Sequence, residues 1–328
     1  MRIAIDAMGG DNAPLEIVKG AYLAACENDD IEITLIGDEN KIKNSFFEIK
    51  SEIPSNISIF HTDTEITMED DPMIIMKEKS NSSMAMGISL LKDEMVDCFL
   101  SAGNTGALHT ASTLMVRKIK GIRRSAIAIV LPFQKPILML DAGANPVVTE
   151  DILNQWAVIG SKYAELMFDI KSPRVALLNN GTEETKGTPM HQEAYKLLKG
   201  NDSINFIGNV ESKELPHCPC DVLITDGFTG NITLKLIEGL GMFMLSSLKD
   251  MFEANVITKL SYLSMKNKLK EFKMMFDASE YGGAPLLGLS KPVIKAHGSS
   301  KAHDIQSAVK QAKKYYNQKI IEKISNLF

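Results

Sequence analysis

The chain reads as an α/β protein built on a mostly parallel, helix-covered sheet, and three observations carry that expectation. Short apolar runs of β type alternate with longer segments of helical period along all 328 residues. Four of these runs, over 3–11, 99–106, 177–181 and 222–231, end in a glycine-punctuated turn with a helix-like segment behind it. No linker, low-complexity tract or clean internal repeat interrupts the alternation. A strand that feeds a glycine turn and a helix start leaves backbone N–H groups aimed at one point, where an anion fits. In an open parallel sheet such turns gather along the carboxyl edge.

Taken in order, the β-type runs predict strands over 2–5, 33–36, 57–60, 96–100, 127–131, 137–140, 175–178, 205–207 and 222–224. The helical-period segments predict helices over 14–28, 82–94, 105–116, 151–168, 189–199, 230–252 and 301–324. Pro14 suits a helix start because its φ is fixed and it has no N–H to leave unpaired. The length fits a single domain over 1–328 or two lobes around a cleft, and 143–150 is the candidate hinge, although composition does not shift there.

Bulk properties narrow the function. A composition of 45% hydrophobic and 23% charged residues is that of a globular protein with ample core. A net charge of -5 argues against nucleic acid as the main partner. No stretch reaches the ~20 apolar residues of a membrane span. Asp6 breaks the first apolar run before it resembles a signal peptide, and four cysteines do not make a disulfide scaffold, so an intracellular protein is expected.

Several motifs have both a chemical and a plain structural reading. The 181–188 run resembles a P-loop, but its lysine stands in the wrong order relative to the glycines, which argues against ATP. Lys186 still sits on a glycine-flanked loop just past a strand, where it can hold a phosphate or a developing oxyanion, or be one more solvated lysine. In 226–231, Asn231 falls near the first turn of a helix, so its amide can donate beside backbone N–H groups; capping by Thr229 or Asn231 is the simpler reading. The 101–106 turn invites the same pair of readings. No intact G-x-G-x-x-G follows the first strand and no G-x-S-x-G appears. His217, Cys218 and Cys220 look like half a metal or redox site without its second half, and Cys98 reads as a small core residue.

Two further features concern surfaces. Arg117, Lys118, Lys120, Arg123 and Arg124 form a dense basic run, read as a solvated helix end or as a docking patch for an acidic partner. Residues 239–248 are uncharged and rich in Met and Leu. Beyond them Tyr262, Met265, Leu269, Phe272 and Phe276 repeat at helical spacing among Lys259, Lys266, Lys268, Lys270 and Lys273. That pattern suits a helix lying in a membrane interface or a dimer seam equally.

Together the 6–11, 101–106, 140–145, 179–187, 226–231, 281–288 and 297–299 motifs resemble the phosphate acyltransferase family of bacterial phospholipid synthesis, over nearly the whole chain. The resemblance implies a Rossmann-like α/β/α sandwich, similar to the isocitrate dehydrogenase and phosphotransacetylase groups, with a projecting helical element over 239–276. It implies a homodimer that takes a fatty acyl group from acyl carrier protein to inorganic phosphate, without cofactor or metal. It also implies cytoplasmic residence with peripheral membrane contact, delivering product to a membrane glycerol-phosphate acyltransferase. Lys186 and Asn231 are then the residues most directly tied to catalysis.

The chemistry fits a site without a serine–histidine–aspartate triad. Phosphate is already anionic and a thiolate leaves readily, so placing an anion against a carbonyl and stabilising its oxygen is the harder task. Lys186 is expected to neutralise phosphate or oxyanion while Asn231 fixes the carbonyl. Gly9, Gly10, Asp11, Gly103, Asn104, Thr105, Asn180, Gly181, Asp226, Gly227, Thr229 and Gly230 are the candidate cradle, and His297 is a candidate proton donor to the thiol. Asp6 and Asp141, like Asp11 and Asp226, are turn, cap or loop-ordering candidates. The basic run is the candidate carrier-protein dock, and Met242, Phe243 and Leu245 are the candidate membrane contacts. A phosphotransacetylase-like enzyme acting on coenzyme A esters and a non-enzymatic membrane scaffold are the alternatives.

Overall fold

The structure, a computed structural model, describes residues 1–274 and 282–328. The chain divides into two compact units, one made of Met1–Ala128, Glu165–Ile170 and Ser279–Phe328, the other of Ile129–Ala164 and Lys171–Ala278. Residues 143–150 lie inside the second unit.

In the first unit the strands are β1 (Arg2–Asp6), β2 (Glu32–Gly37), β3 (Ile57–His61), β4 (Cys98–Ser101), β10 (Ala284–Leu287), β11 (Val293–Lys295) and the first three residues of β5 (Ala126–Pro132), which ends in the second unit. They run in the order β3-β2-β1-β4-β11-β10-β5. Neighbours are parallel except β10, which is antiparallel to both β11 and β5. Ile3, Ala4 and Ile5 are all fully buried, which is why β1 reads as a continuous apolar run rather than an alternation. The helices are α1 (Leu15–Glu27), α2 (Glu39–Glu48), α3 (Ser83–Lys92), α4 (Thr105–Ala111), α9 (Ala302–Asn317) and α10 (Ile320–Ser325). Ile17 and Val18 of α1 share one apolar cluster with Ile305 and Val309 of α9 and with Ile3, Ile33 and Leu100 of the sheet.

In the second unit β6 (Pro136–Leu140), β7 (Arg174–Asn179), β8 (Asn205–Glu211) and β9 (Val222–Ile224) are all parallel, in the order β6-β9-β7-β8. Its helices are α5 (Glu150–Phe168), α6 (Pro189–Lys199), α7 (Gly227–Glu253) and α8 (Val256–Met274). Trp156 and Tyr163 of α5 are its largest fully buried side chains. Ile224 is in register with Leu140 on one side and Leu177 on the other. The loops that leave β6 and β9 therefore emerge side by side at one level, and the β7 loop leaves two residues further on, after Asn179.

The mostly parallel, helix-flanked architecture is the one expected, with differences at specific places. Helix α2 and strands β10 and β11 were not predicted. Helix α2 is mostly solvated and is started by Asp38, whose side chain accepts from the Asn40 and Lys41 amides. The expected 105–116 helix is α4 followed by a π-helical turn at Ser112–Val116. The expected 301–324 helix is two helices, because Lys319 at φ 51° interrupts it. Helix α7 starts three residues before the expected position.

Helices α7 and α8 pack against each other, with Phe252 and Tyr262 edge-to-face at 5.6 Å. Tyr262 and Leu269 of the lysine-flanked stripe line a groove between the two helices with Leu245 and Leu248. Met265 is exposed, and Phe276 lies outside the described residues. Among the described residues no helix is long and apolar enough to cross a membrane.

Candidate active site

Three loops carry the candidate site residues of the second unit. The first follows β6, where the buried Asp141 carboxylate accepts from the amides of Ala144 (3.2 Å) and Asn145 (2.6 Å) and from Asn145 Nδ2 (2.9 Å). One carboxylate thus folds 141–145 into a tight turn and itself takes up the N–H donors of that turn. The second follows β9. Asp226 caps α7, accepting from the Thr229 amide and from Thr229 Oγ1, each at 2.8 Å. Asp226 is the cap, in place of Thr229 or Asn231, because an acidic side chain just before the helix meets the orphan first-turn N–H groups. Asn231 stands on the second turn and is exposed.

The two loops are locked together. The Gly227 amide donates to the Asn145 carbonyl at 2.8 Å, and the Asp141 amide donates to that of Thr225 at 3.0 Å. Asn231 lies against Gly143, 3.5 Å from where a β-carbon of that residue would stand.

The third loop, between β7 and α6, carries Lys186. Its alkyl stem lies on Gly181, where a β-carbon would come 2.7 Å from Lys186 Cγ. A β-carbon there would displace the Lys186 stem. Lys186 is exposed, and no hydrogen-bond or ion-pair partner to its ammonium occurs among the described residues. The loop closes onto α6 through Gly187 at φ 86°, followed by Pro189 at the first helical position. Thr188 Oγ1 and His191 Nδ1 are hydrogen-bonded at 2.8 Å. Burial holds His191 below the usual imidazole range, and the Asp226 carboxylate partly opposes that shift. The imidazole thus links the Lys186 loop electrically to the cap of the Asn231 helix. Asn180 is exposed on the same loop, with its amide donating to Asn179 Oδ1 at 2.8 Å.

The first unit gathers its own glycine loops. Asp6, at the end of β1, is 1% exposed and accepts from Ser83 Oγ (2.6 Å), Ser101 Oγ (2.7 Å) and the Met8 amide (3.2 Å). Burial raises its carboxyl above the usual range against the pull of these donors. Gly9 packs on Gly103, where a β-carbon would stand 2.7 Å from the Gly103 nitrogen. Gly10 has φ 107°, and the exposed Asp11 donates its amide to the Gly298 carbonyl at 2.8 Å. The Asn104 amide is committed within the protein. It caps α4 at Ala107 (3.0 Å) and donates to the carbonyls of Thr67, Met68 and Asp70 at 3.1 to 3.2 Å. Thr105 opens α4 and is half-buried. His297 is exposed, its Nδ1 bonded to Ser299 Oγ at 2.8 Å. The sequence reading overlooked Lys295, 8% exposed, whose ammonium donates to the carbonyls of Ala102 (3.0 Å) and Ala296.

The remaining candidates lie elsewhere. The basic run is a turn rather than a helix end: Arg117 has φ 71°, Gly121 φ 92°, and buried Ile119 and Ile122 anchor it. Arg117, Lys120, Arg123 and Arg124 are exposed, and Lys118 donates to the Arg123 carbonyl at 2.5 Å. Met242 and Phe243 are each 68% exposed, whereas Leu245 is half-buried. The Cys220 thiol is pushed up to about 12 by burial, and Cys98 is likewise raised.

Parallel sheets flanked by helices, with donor-rich glycine loops at their carboxyl edges, put the chain in the α/β class to which solved phosphotransacetylases belong. The phosphotransacetylase of Streptococcus pyogenes superposes with a TM-score of 0.66 at 18% identity, covering 98% of this chain and 94% of that one. A family model described as a fatty acid synthesis protein matches residues 1–323, and the chain belongs to that family. It is 46% identical over 325 residues to the phosphate acyltransferase of Caldanaerobacter subterraneus subsp. tengcongensis, covering 99% of this chain and 96% of the other. To the phosphate acyltransferase of Streptococcus thermophilus it is 44% identical over 329 residues, covering 99% and 97%.

Proposed function

We propose that the chain transfers a fatty acyl group from acyl carrier protein thioester to inorganic phosphate, giving acyl phosphate for phospholipid synthesis. Membership of the family makes it an acyltransferase that uses an acyl donor and phosphate. The observation that carries the reading is the register of Ile224 with both Leu140 and Leu177. That register sets an exposed lysine loop, an Asp-capped helix bearing Asn231 and the loop held by the Asp141 carboxylate on adjacent strands.

A phosphate oxygen attacks the thioester carbon, the carbonyl oxygen takes up negative charge, and collapse breaks the C–S bond. The proton lost by hydrogen phosphate ends on the departing sulfur, so the exchange needs no external acid or base. Lys186 holds the phosphate dianion or the oxyanion, and the Asn231 amide orients the carbonyl. These preformed donors act where charge develops, and loss of one such donor costs ~100-fold or more in rate. Burial of the Asp141 carboxylate under its own donors keeps that loop rigid while reaction proceeds.

The acidic carrier protein docks on the basic turn at 117–124, a second copy of the chain completes a homodimer, and exposed Met242 and Phe243 rest on the membrane near the acyltransferase that consumes the product. The deciding experiment mixes the protein with acyl carrier protein thioester and phosphate and looks for acyl phosphate by mass spectrometry, with the matching coenzyme A ester in parallel. Lys186→Ala and Asn231→Ala are expected to lose about 100-fold or more in turnover. Wild-type turnover in both refutes their roles, and faster reaction with the coenzyme A ester refutes the donor.

A further inference from the structure

Four consecutive residues of the Lys186 loop are each held by a side chain from a neighbouring element. Asn209 on β8, 7% exposed, donates Nδ2 to the Glu183 carbonyl at 2.9 Å. The Glu184 carboxylate takes Tyr195 OH (3.2 Å) and Lys199 Nζ (2.5 Å) from α6. Gln192, in the first turn of α6, donates Nε2 to the Thr185 carbonyl at 2.7 Å and to that of Gly187 at 3.5 Å. Asn179, the last residue of β7, donates Nδ2 to the carbonyl of Lys186 itself at 3.2 Å.

We propose that Asn179, Gln192 and Asn209 are positioning residues, a carboxamide clip that fixes the backbone from which the Lys186 side chain springs for acyl transfer to phosphate. The inference rests on the role given to Lys186 above. The residue type is what the task requires. An amide N–H satisfies a backbone carbonyl without adding charge. Lysine or arginine in its place sets a like charge beside the ammonium. Aspartate or glutamate has no donor for the carbonyl and neutralises the lysine instead. Three donors reaching 183, 185 and 186 from a strand end, a neighbouring strand and a helix leave the loop no common hinge about which to swing. The Lys186 side chain, its stem seated on Gly181, is then held as the basic member of an exposed 182–186 stretch. A misplacement of about 1 Å at a reacting group costs up to ~100-fold.

The test uses Gln192→Leu and Asn209→Ser, with thermal midpoints taken to confirm folding. Each is expected to lower kcat by roughly 10-fold or more while KM for the acyl donor holds, because positioning acts on the reacting atoms. The Lys186→Ala, Gln192→Leu double variant is expected to be no slower than Lys186→Ala alone. Gln192→Glu adds an independent readout: its carboxyl donates only when protonated, so its activity relative to wild type rises as pH falls from about 6 to about 4.5, toward the ordinary glutamate range. Wild-type kcat in both folded single variants overturns the clip, as does a double variant slowed by the full Gln192→Leu factor, or a flat pH ratio. Wild-type turnover in Lys186→Ala fails the underlying reading instead, and so separates the two.

Discussion

Gly230 sits directly on the backbone carbonyl of Asp141, so close that any β-carbon at 230 would overlap the oxygen. The contact seats the start of α7 on the loop that follows β6, one residue before Asn231. Gly230→Ala must push the helix off that loop. Overpacking of this kind costs about 1–3 kcal/mol, and the shift is carried to Asn231, so turnover is expected to fall at least ~10-fold. Gly239, further along the same helix, supplies the control, because nothing lies within 4 Å of a β-carbon there. Gly239→Ala is expected to stabilise by about 0.5–1 kcal/mol, the helix-propensity gain, with turnover unchanged. Thermal melts and initial rates on the pair check both; equal behaviour refutes the seating argument.

His191 gives the second unit a defined pH response. Burial lowers its folded-state pKa below the ordinary imidazole value, with Asp226 pulling the other way. Between the lowered value and about 6.5 the unfolded chain binds more proton than the folded one, so stability rises with pH through that window and is lost as pH falls through it. His191→Gln should flatten that slope in denaturant melts across the window. Asp226→Asn keeps a capping side chain but removes the opposing charge, so the His191 imidazole should titrate lower still by NMR. An upward move contradicts the influence assigned to Asp226.

The parts of this arrangement that were legible in the sequence are those that lie in one stretch of chain. The four glycine turns marked the strand ends, and the bounds of α6 and β9 follow from Pro189 and from a compact Val-Leu-Ile run. The start of α7 was placed too late because Thr229 and Asn231 drew attention as caps, although Asp226 ahead of Gly227 is the better acceptor. Strands β10 and β11 are four and three residues long, antiparallel to each other between β4 and β5, with Pro285 inside β10, and carry no periodic signal. The clip was not legible at all. Asn179, Gln192 and Asn209 come from three elements, and a side chain that meets a carbonyl 7 or 26 positions away has no spacing to betray it.

The basic turn makes a kinetic prediction. Buried Ile119 and Ile122 fix it to the first unit, and Arg123 and Arg124 are exposed on it. Charge-steered encounter with an acidic protein weakens as salt shortens the Debye length, which is about 10 Å at 0.1 M. Reversal of Arg123 and Arg124 to Glu is expected to raise KM for the carrier-protein thioester severalfold, leave kcat within about twofold, and abolish most of the salt dependence. An unchanged KM across salt concentrations places the dock elsewhere.

Under the proposed membrane contact, Met242 and Phe243 are the side chains that meet the bilayer. Each is 68% exposed on α7, and Leu260 and Leu263 on α8 are 62% and 66% exposed. Leu245 lines the groove between the two helices, so it belongs with their mutual packing and is left unaltered. A buried Met or Phe side chain is worth about 1.5–3 kcal/mol, and the pair about 3 kcal/mol or more, roughly 100-fold in partition. Met242→Ser with Phe243→Ser should therefore release the protein from anionic vesicles in co-sedimentation, while its oligomeric state and its turnover on soluble substrate hold. Undiminished pelleting of the folded double variant shows that the membrane is met through another face, and a change in oligomeric state assigns these residues to contact between copies instead.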